Sequence, residues 1–324
     1  MVKRLGKIPG QKIPVILCID VEPDGMFIDR TRKLPWIGYE KAFVFFSHMR
    51  RMIASGTGSE AHFSWFYRMD PQVSDTYGSG HWPVTHYAQY VKEFEKKGDE
   101  LGLHTHPYRF SSKTNDWIID NADPQWVNHC ILSSYESFRK VFGRNSDSHR
   151  FGDRFISGGA LHAIEEMGSR FDLSMEPGFN ETLPDFIRER MTGPLPKMTG
   201  VPKHPYRPSK TDLKKPDPKR KNGLWIIPLT TGKIRTKPNR LFSPRRLLTL
   251  HLGLEPQWFQ PVADKVLSTS RNPYLGLVLK TDMVKDAHVA GNMGMNLQYL
   301  TNHPWATAFV FSTPEEAMKT LGHL

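Results

Sequence analysis

Two short stretches carry residues that could do chemistry together. In Gly102-Leu103-His104-Thr105-His106-Pro107-Tyr108, two imidazoles stand at alternate positions. Side chains at alternate positions of an extended segment share a face, so His104 and His106 point the same way. Paired imidazoles at a strand end are half of a divalent-metal site. A structural or merely exposed pair is the bland alternative. In Asp20-Val21-Glu22-Pro23-Asp24, carboxylates take the same alternate positions. At the end of a buried strand they are costly unless ion pairs, hydrogen bonds or a metal satisfy them. A solvated acidic turn is the alternative there.

The elements that must position these residues follow from apolar patterning. Ile13-Pro14-Val15-Ile16-Leu17-Cys18-Ile19 is a continuous apolar run, the pattern of a strand buried on both faces, and Asp20 follows it. Val84, Tyr87, Val91 and Phe94 fall at helical spacing and predict a helix from Val84 to Lys97, closed by Gly98. Glu100 to His106 then reads as a strand that Pro107 breaks. Further strands are predicted at Ala61–Tyr67, with Arg68 and Asp70 after it, and at Ser148–Asp153, Phe171–Ser174 and Leu224–Thr230. Two more are predicted at Tyr274–Leu279, ending in Lys280-Thr281-Asp282, and at Ala306–Phe311. Helices predicted at Tyr39–Ser55, Pro124–Phe142, Ala160–Met167, Gln257–Ser268 and Asn292–Asn302 alternate with them. Thr313-Pro314-Glu315-Glu316 opens a last helix with an N-cap, a proline in the first turn and acidic residues. The alternation points to a largely parallel sheet. Polar residues gather where strands end, which is where a β/α barrel carries its active site.

The chain has 324 residues, enough for two average domains or one large α/β domain. With 38% hydrophobic and 24% charged residues it has the composition of a soluble globular protein. A net charge of +11 favours anionic partners, simple solubility being the alternative. No zinc-finger spacing, helix-turn-helix signal or aromatic RNA motif accompanies the charge, so no nucleic-acid partner is expected. Cys18 and Cys130 make no disulfide framework, as in a reducing compartment. Met1–Lys12 is basic without an apolar signal-peptide core, and Ile13–Ile19 is too short to span a bilayer. The expectation is a cytoplasmic protein with no membrane span. Thr192–Asn222 is rich in proline and lysine and predicts a long surface loop.

Taken in order, Asp20-Val21-Glu22-Pro23-Asp24, Asp99 to Pro107, Arg150-Phe151-Gly152 with Gly168, and Phe171-Asp172-Leu173-Ser174 resemble the motifs of the polysaccharide deacetylase family. These are metal-dependent carbohydrate esterases, and Phe311 to Ala317 also has the family's look. The resemblance implies one catalytic domain over residues 1–324, a distorted (β/α) barrel of about seven strands. It implies a hydrolase that removes an N-acetyl group from a sugar or a surface-glycan precursor. Asp20 would be the base and Arg150 its orienting partner. Glu22 or Asp24 would join His104 and His106 in holding a divalent metal, with Zn²⁺ best matched to those ligands.

This chain departs from the family pattern at three motifs. Val21 stands where the family has a second aspartate. Tyr108 stands where it has a second histidine, so His106 substitutes. The late strand ends in Lys280, not a histidine. Asp282 or Lys280 is then the candidate for serving the leaving amine. Arg68, Asp70, Tyr108 and Lys280 are the candidates for binding the carbohydrate or sugar-nucleotide substrate. The same departures admit an alternative, an inactive barrel that binds a glycan or sugar nucleotide. The basic loop either folds over the catalytic end and attracts an anionic sugar or is a solvated insertion.

Overall fold

The computed structural model describes residues 10–25, 27, 35–180, 185–235 and 245–324; most of the basic segment Met1–Lys12 lies outside them. β1 (Ile13–Val21) is buried along its whole length, as its apolar run requires. α1 (Ile37–Thr57) and the wholly buried β2 (Ser64–Arg68) follow. The single helix expected from Val84 to Lys97 is divided. After α2 (Pro71–Tyr77), α3 (Trp82–His86) ends at Tyr87, and α4 (Ala88–Lys96) starts from it. Tyr87 leaves the helical region, at φ −106° and ψ 35°, with its ring edge-on to Trp82 and His86. Gly98 does close the segment, in the left-handed conformation at φ +75°.

β3 (Glu100–Thr105), β4 (Tyr108–Ser111) and β5 (Asp116–Asp120) precede α5 (Pro124–Phe142), whose first amides Asp123 caps. Then come β6 (Ser148–Phe151), α6 (Gly158–Glu166), β7 (Phe171–Asp172), α7 (Asp185–Arg188), β8 (Met191–Thr192) and β9 (Trp225–Ile226). β9 is shorter than expected because Pro228 has no N–H to extend the ladder. β10 (Thr231–Arg235), β11 (Arg245–Thr249), α8 (Pro256–Thr269) and β12 (Leu275–Lys280) lead into a 3-10 turn over Thr281–Lys285. α9 (Ala287–Thr301), β13 (Phe309–Phe311) and α10 (Pro314–Thr320) end the chain. The main sheet has the order β12-β1-β2-β3-β6-β7-β9, and β13 also pairs with β1. Its β1–β13, β3–β6, β6–β7 and β7–β9 ladders are parallel. The fold is α/β, a curled parallel sheet of distorted (β/α) barrel type, as the alternating pattern implied.

The chain, expected from sequence as one domain over 1–324, packs as two compact units. The first holds the residues up to 19, 37–64 and 229–324. In it, Gly38 meets the backbone after β12, where a Cβ would come within 2.4 Å of the Thr281 carbonyl oxygen. α10 starts on the expected cap: Thr313 and Glu316 form a reciprocal capping box. His251, just past β11, is largely enclosed, and burial pulls its imidazole down to about 4.

The second unit holds residues 20–36 and 65–228. Its register is set by His104↔Arg150, Ser148↔Phe171 and Phe171↔Trp225. Gly102 is needed between strands, because a Cβ there would lie 2.8 Å from the Phe66 ring and 2.9 Å from the Ser148 carbonyl. A small sheet, β4-β5-β8, packs Tyr108, Trp117 and Ile119 with Ile187.

The proline- and lysine-rich segment after β8 is an ordered loop. Tyr206 pairs antiparallel with Ile226, and Pro208 bridges Pro216. Asp212 and Asp217 close turns by accepting the Lys214 and Lys219 amides. Arg220 pairs with Glu165 of α6. Running antiparallel to β9, the chain passes from Tyr206 toward the start of that strand and returns through Leu224 into Trp225. Trp225 is level with Phe171 and, through it, with Ser148, whereas Arg150 is further along β6. Lys210–Lys221 therefore lies at the N-terminal end of these strands. The expectation that this stretch folds over the catalytic end is corrected by that register.

Candidate metal and catalytic centre

β1 and β3 deliver their polar residues where each strand runs out. Asp20, Glu22, His104 and His106 are all buried in the second unit. His104 Nε2 lies 3.1 Å from Glu22 Oε1 and 2.9 Å from His106 Nε2. His106 Nε2 is 3.7 Å from the same Glu22 oxygen. Among the described residues this trio is the group of side chains able to enclose a metal ion. Asp24 is half-exposed and outside it, its amide bonded to the Pro35 carbonyl. Of the two carboxylates left open by sequence, Glu22 is the one in the cluster.

The remaining ring nitrogens test whether a cation fits. His104 Nδ1 faces the Arg150 carbonyl oxygen at 3.1 Å, which can only accept, so Nδ1 carries the proton. His106 Nδ1 faces Asp153 Oδ2 at 2.8 Å and donates likewise. In the neutral rings both Nε2 lone pairs then point at each other and at a carboxylate oxygen. Three acceptors so close repel unless a cation or proton stands between them. Bonds of about 2.0–2.1 Å to a tetrahedral metal would separate ligand atoms by about 3.3 Å, within the observed spread. The donor set of imidazole and carboxylate suits zinc-like divalent ions. Burial holds the His104 imidazole below its ordinary value. Burial acts the same way on His106, but the Asp153 carboxylate outweighs it and holds that ring above its ordinary value.

Asp20 is held from β6, three strands along the sheet from β1. Arg150 Nε and Nη2 donate to its two oxygens at 2.7 and 2.9 Å, and Arg150 Nη1 donates to the Leu173 carbonyl at 2.9 Å. The His104↔Arg150 register makes this possible by bringing the β6 arginine beside the first histidine. Asp172 and Ser174, from the segment after β6, brace it: Ser174 donates to Asp172 and accepts the Phe151 amide. His149, buried below its ordinary imidazole value by desolvation, bonds Thr105.

Arg68, Asp70 and Tyr108 are each fully buried. Arg68 grips Asp70 through paired bonds of 3.0 Å, and Asp70 accepts the His106 amide at 3.2 Å. Tyr108 donates to Asp153 at 2.7 Å. None of the three presents a surface to a sugar, so the expectation that they bind substrate directly is corrected. Burial removed them from contact and made them supports. Lys280 ends β12 and Asp282 stands in the turn after it, both in the first unit.

Sequence reasoning missed Asp153. It stands at φ +49°, and Arg154 after it at φ +59°, a pair of left-handed non-glycine residues that no sequence pattern announces. Gly152 carried a readable signal: a Cβ there would fall 2.0 Å from the His106 ring.

No family model matches the chain, and no curated protein matches it in sequence. Solved structures do. A protein of Parabacteroides distasonis assigned as a glycoside hydrolase/deacetylase aligns over 97% of this chain and 72% of its own, with TM-score 0.57 and 13% identity. A Mycobacterium smegmatis protein assigned as a polysaccharide deacetylase aligns over 98% of this chain and 92% of its own, with TM-score 0.52 and 10% identity. The fold is that of the polysaccharide deacetylases. A 4-alpha-glucanotransferase from Thermococcus litoralis shares the deacetylase-like barrel over 95% of this chain and 40% of its own, at TM-score 0.51 and 9% identity. One barrel therefore hosts different sugar chemistries, and activity must be argued from side chains. Among the described residues, no helix is long and apolar enough to cross a membrane.

Proposed function

We propose that this chain is a metal-dependent carbohydrate deacetylase, an amide hydrolase acting on an N-acetylated sugar. The observation that carries this is the convergence of Glu22 Oε1 with the His104 and His106 Nε2 atoms, whose other ring nitrogens are already engaged. Glu22, His104 and His106 would hold a divalent cation, Zn²⁺ by donor type. Bound there, it would polarise the acetyl carbonyl and acidify a water. Asp20 would take the water's proton, since the paired bonds from Arg150 keep its carboxylate oriented. That proton is the one the departing amine needs, so Asp20 can return it without a further acid. Nothing about the ordered basic loop, placed at the other end of the strands, supports an anionic or nucleotide-linked substrate, and a neutral N-acetyl sugar is the substrate class proposed.

Metal content of the purified full-length protein and acetate release from N-acetylglucosamine oligomers test the reading. The expected result is one equivalent of divalent metal and acetate release that a chelator removes and Zn²⁺ restores. His104→Ala should lose the metal, and Asp20→Asn should keep it while losing activity by at least 100-fold. A protein that takes up no divalent metal overturns the reading. Metal uptake without acetate release leaves the alternative, a barrel that binds a glycan.

A further inference from the structure

We propose that Asp153, delivered by a strained turn and clamped by Tyr108, is the positioning residue that makes His106 a metal ligand; this rests on the metal reading above. A histidine placed two residues after another can share its face, but its ring is free to turn about its side-chain torsions. Here something must aim Nε2 at Glu22 and His104. The Asp153 Oδ2 atom accepts both the His106 Nδ1 proton at 2.8 Å and the Tyr108 hydroxyl at 2.7 Å. The first bond fixes the tautomer and the ring's direction. The second holds the carboxylate that does so.

The turn carrying Asp153 is built for this contact. Asp153 and Arg154 both occupy the left-handed region, which costs roughly 1–2 kcal/mol for an ordinary residue. Such strain persists only where the surroundings enforce it. The enforcing contacts are present: the Gly152 amide donates to the Thr105 carbonyl at 3.0 Å, and the Phe155 amide donates to the Gly152 carbonyl at 2.9 Å. Arg154 is tied to Glu176 at 3.1 Å and lies over the Phe179 ring at 4.0 Å. Gly152 presents a bare backbone to the His106 ring, where any Cβ would overlap it. Tyr108 lies beside His106 with ring centroids 4.7 Å apart. Tyr108 stands where the resembling family places its second histidine. In this chain that position no longer coordinates; it acts, through Asp153, on the histidine that does.

The test uses the full chain with Asp153→Ala, Asp153→Asn, Tyr108→Phe and the Asp153→Ala/Tyr108→Phe double variant. Zn²⁺ affinity is read by competition with a chromogenic chelator. The His106 tautomer is read by ¹⁵N NMR of the metal-free protein at pH 9, and folding by circular dichroism. Asp153→Ala should weaken Zn²⁺ binding about 10–100-fold. Asp153→Asn, which tolerates the left-handed backbone and keeps an oxygen acceptor, should recover part of that loss. Tyr108→Phe, nearly isosteric, should lose several-fold with its fold intact. The double variant should be no weaker than Asp153→Ala, because Tyr108 acts through Asp153. The metal-free wild type should show the Nδ1–H tautomer, and Asp153→Ala should shift it. An unchanged affinity and tautomer in Asp153→Ala overturns the proposal, as does a double variant whose loss is the product of the single losses. A wild type that keeps the Asp153-dependent tautomer yet binds no Zn²⁺ overturns the metal reading instead.

Discussion

The two ends of the strands β6, β7 and β9 both concentrate charge, and they do so in opposite ways. At the C-terminal end, Asp20, Glu22, His104, His106 and Arg150 are buried, and each is bound to specific partners. At the N-terminal end, Lys210, Lys215, Lys219 and Lys221 are exposed on an ordered loop. An exposed lysine costs little and is a weak sign of function, because water and salt screen it. A buried ionic group survives only where partners or a cation compensate it. The cluster at the C-terminal end is therefore the informative one, although the loop is the more conspicuous in the sequence.

The comparison can be broken at its strongest point by Arg150→Met. Leaving Asp20 buried without its partner should destabilise the fold by about 3–5 kcal/mol, read as a lowered urea midpoint. A midpoint within error of wild type would mean that the ion pair carries none of the stress assigned to it.

His251 sharpens the comparison by supplying burial without an ionic partner as its cause. Its folded value of about 4 lies below the unfolded value near 6.5, so the unfolded state binds the proton first. Its contribution to stability is whole above pH 6.5 and falls away as the pH drops toward 4. Partial exposure limits the loss to ~2 kcal/mol. His251→Gln should flatten that part of the stability profile in denaturant titrations from pH 7 to 4. An unchanged slope would remove His251 as its source.

Arg220→Ala probes a half-enclosed pair at the loop's own end. Loss of the Glu165 contact should cost about 1 kcal/mol, read as a small drop in the thermal midpoint. A larger drop would show that this end, too, relies on a compensated charge. The smallest effect is expected from Lys210, Lys215, Lys219 and Lys221 replaced together by serine. Stability should shift by no more than about 0.5 kcal/mol, and KM for a neutral N-acetyl sugar should not change with salt. A raised, salt-sensitive KM would return the loop to the catalytic story.

Much of the architecture was legible in the chain. The apolar run before Asp20 required a buried strand, and α5 occupies the expected Pro124–Phe142 without adjustment. Thr313 announced the N-cap of the last helix because capping is a local interaction between near neighbours; the reciprocal bond from Glu316 came with the structure. The one-face placement of His104 and His106 follows from strand geometry alone. The break at Tyr87 was not legible, because side-chain packing decided it against a good helical pattern. The small sheet β4-β5-β8 was missed for a related reason: β8 is too short to leave a periodic signal, and its partner is far away in sequence.

The sequence by itself determined which residue types could do the chemistry and on which strands they stand. It supplied Asp20, Glu22, His104, His106 and Arg150, and local rules aligned the histidines. Only the tertiary structure decided which of these meet. The β3–β6 register brought Arg150 to Asp20 from 130 positions away, and a left-handed turn brought Asp153 to His106 from 47 away. It turned Arg68, Asp70 and Tyr108 from presumed sugar contacts into buried supports, and it carried the basic loop to the far end of the strands. The physical reason is that burial, register and charge compensation are properties of pairs distant along the chain, and no local pattern encodes them.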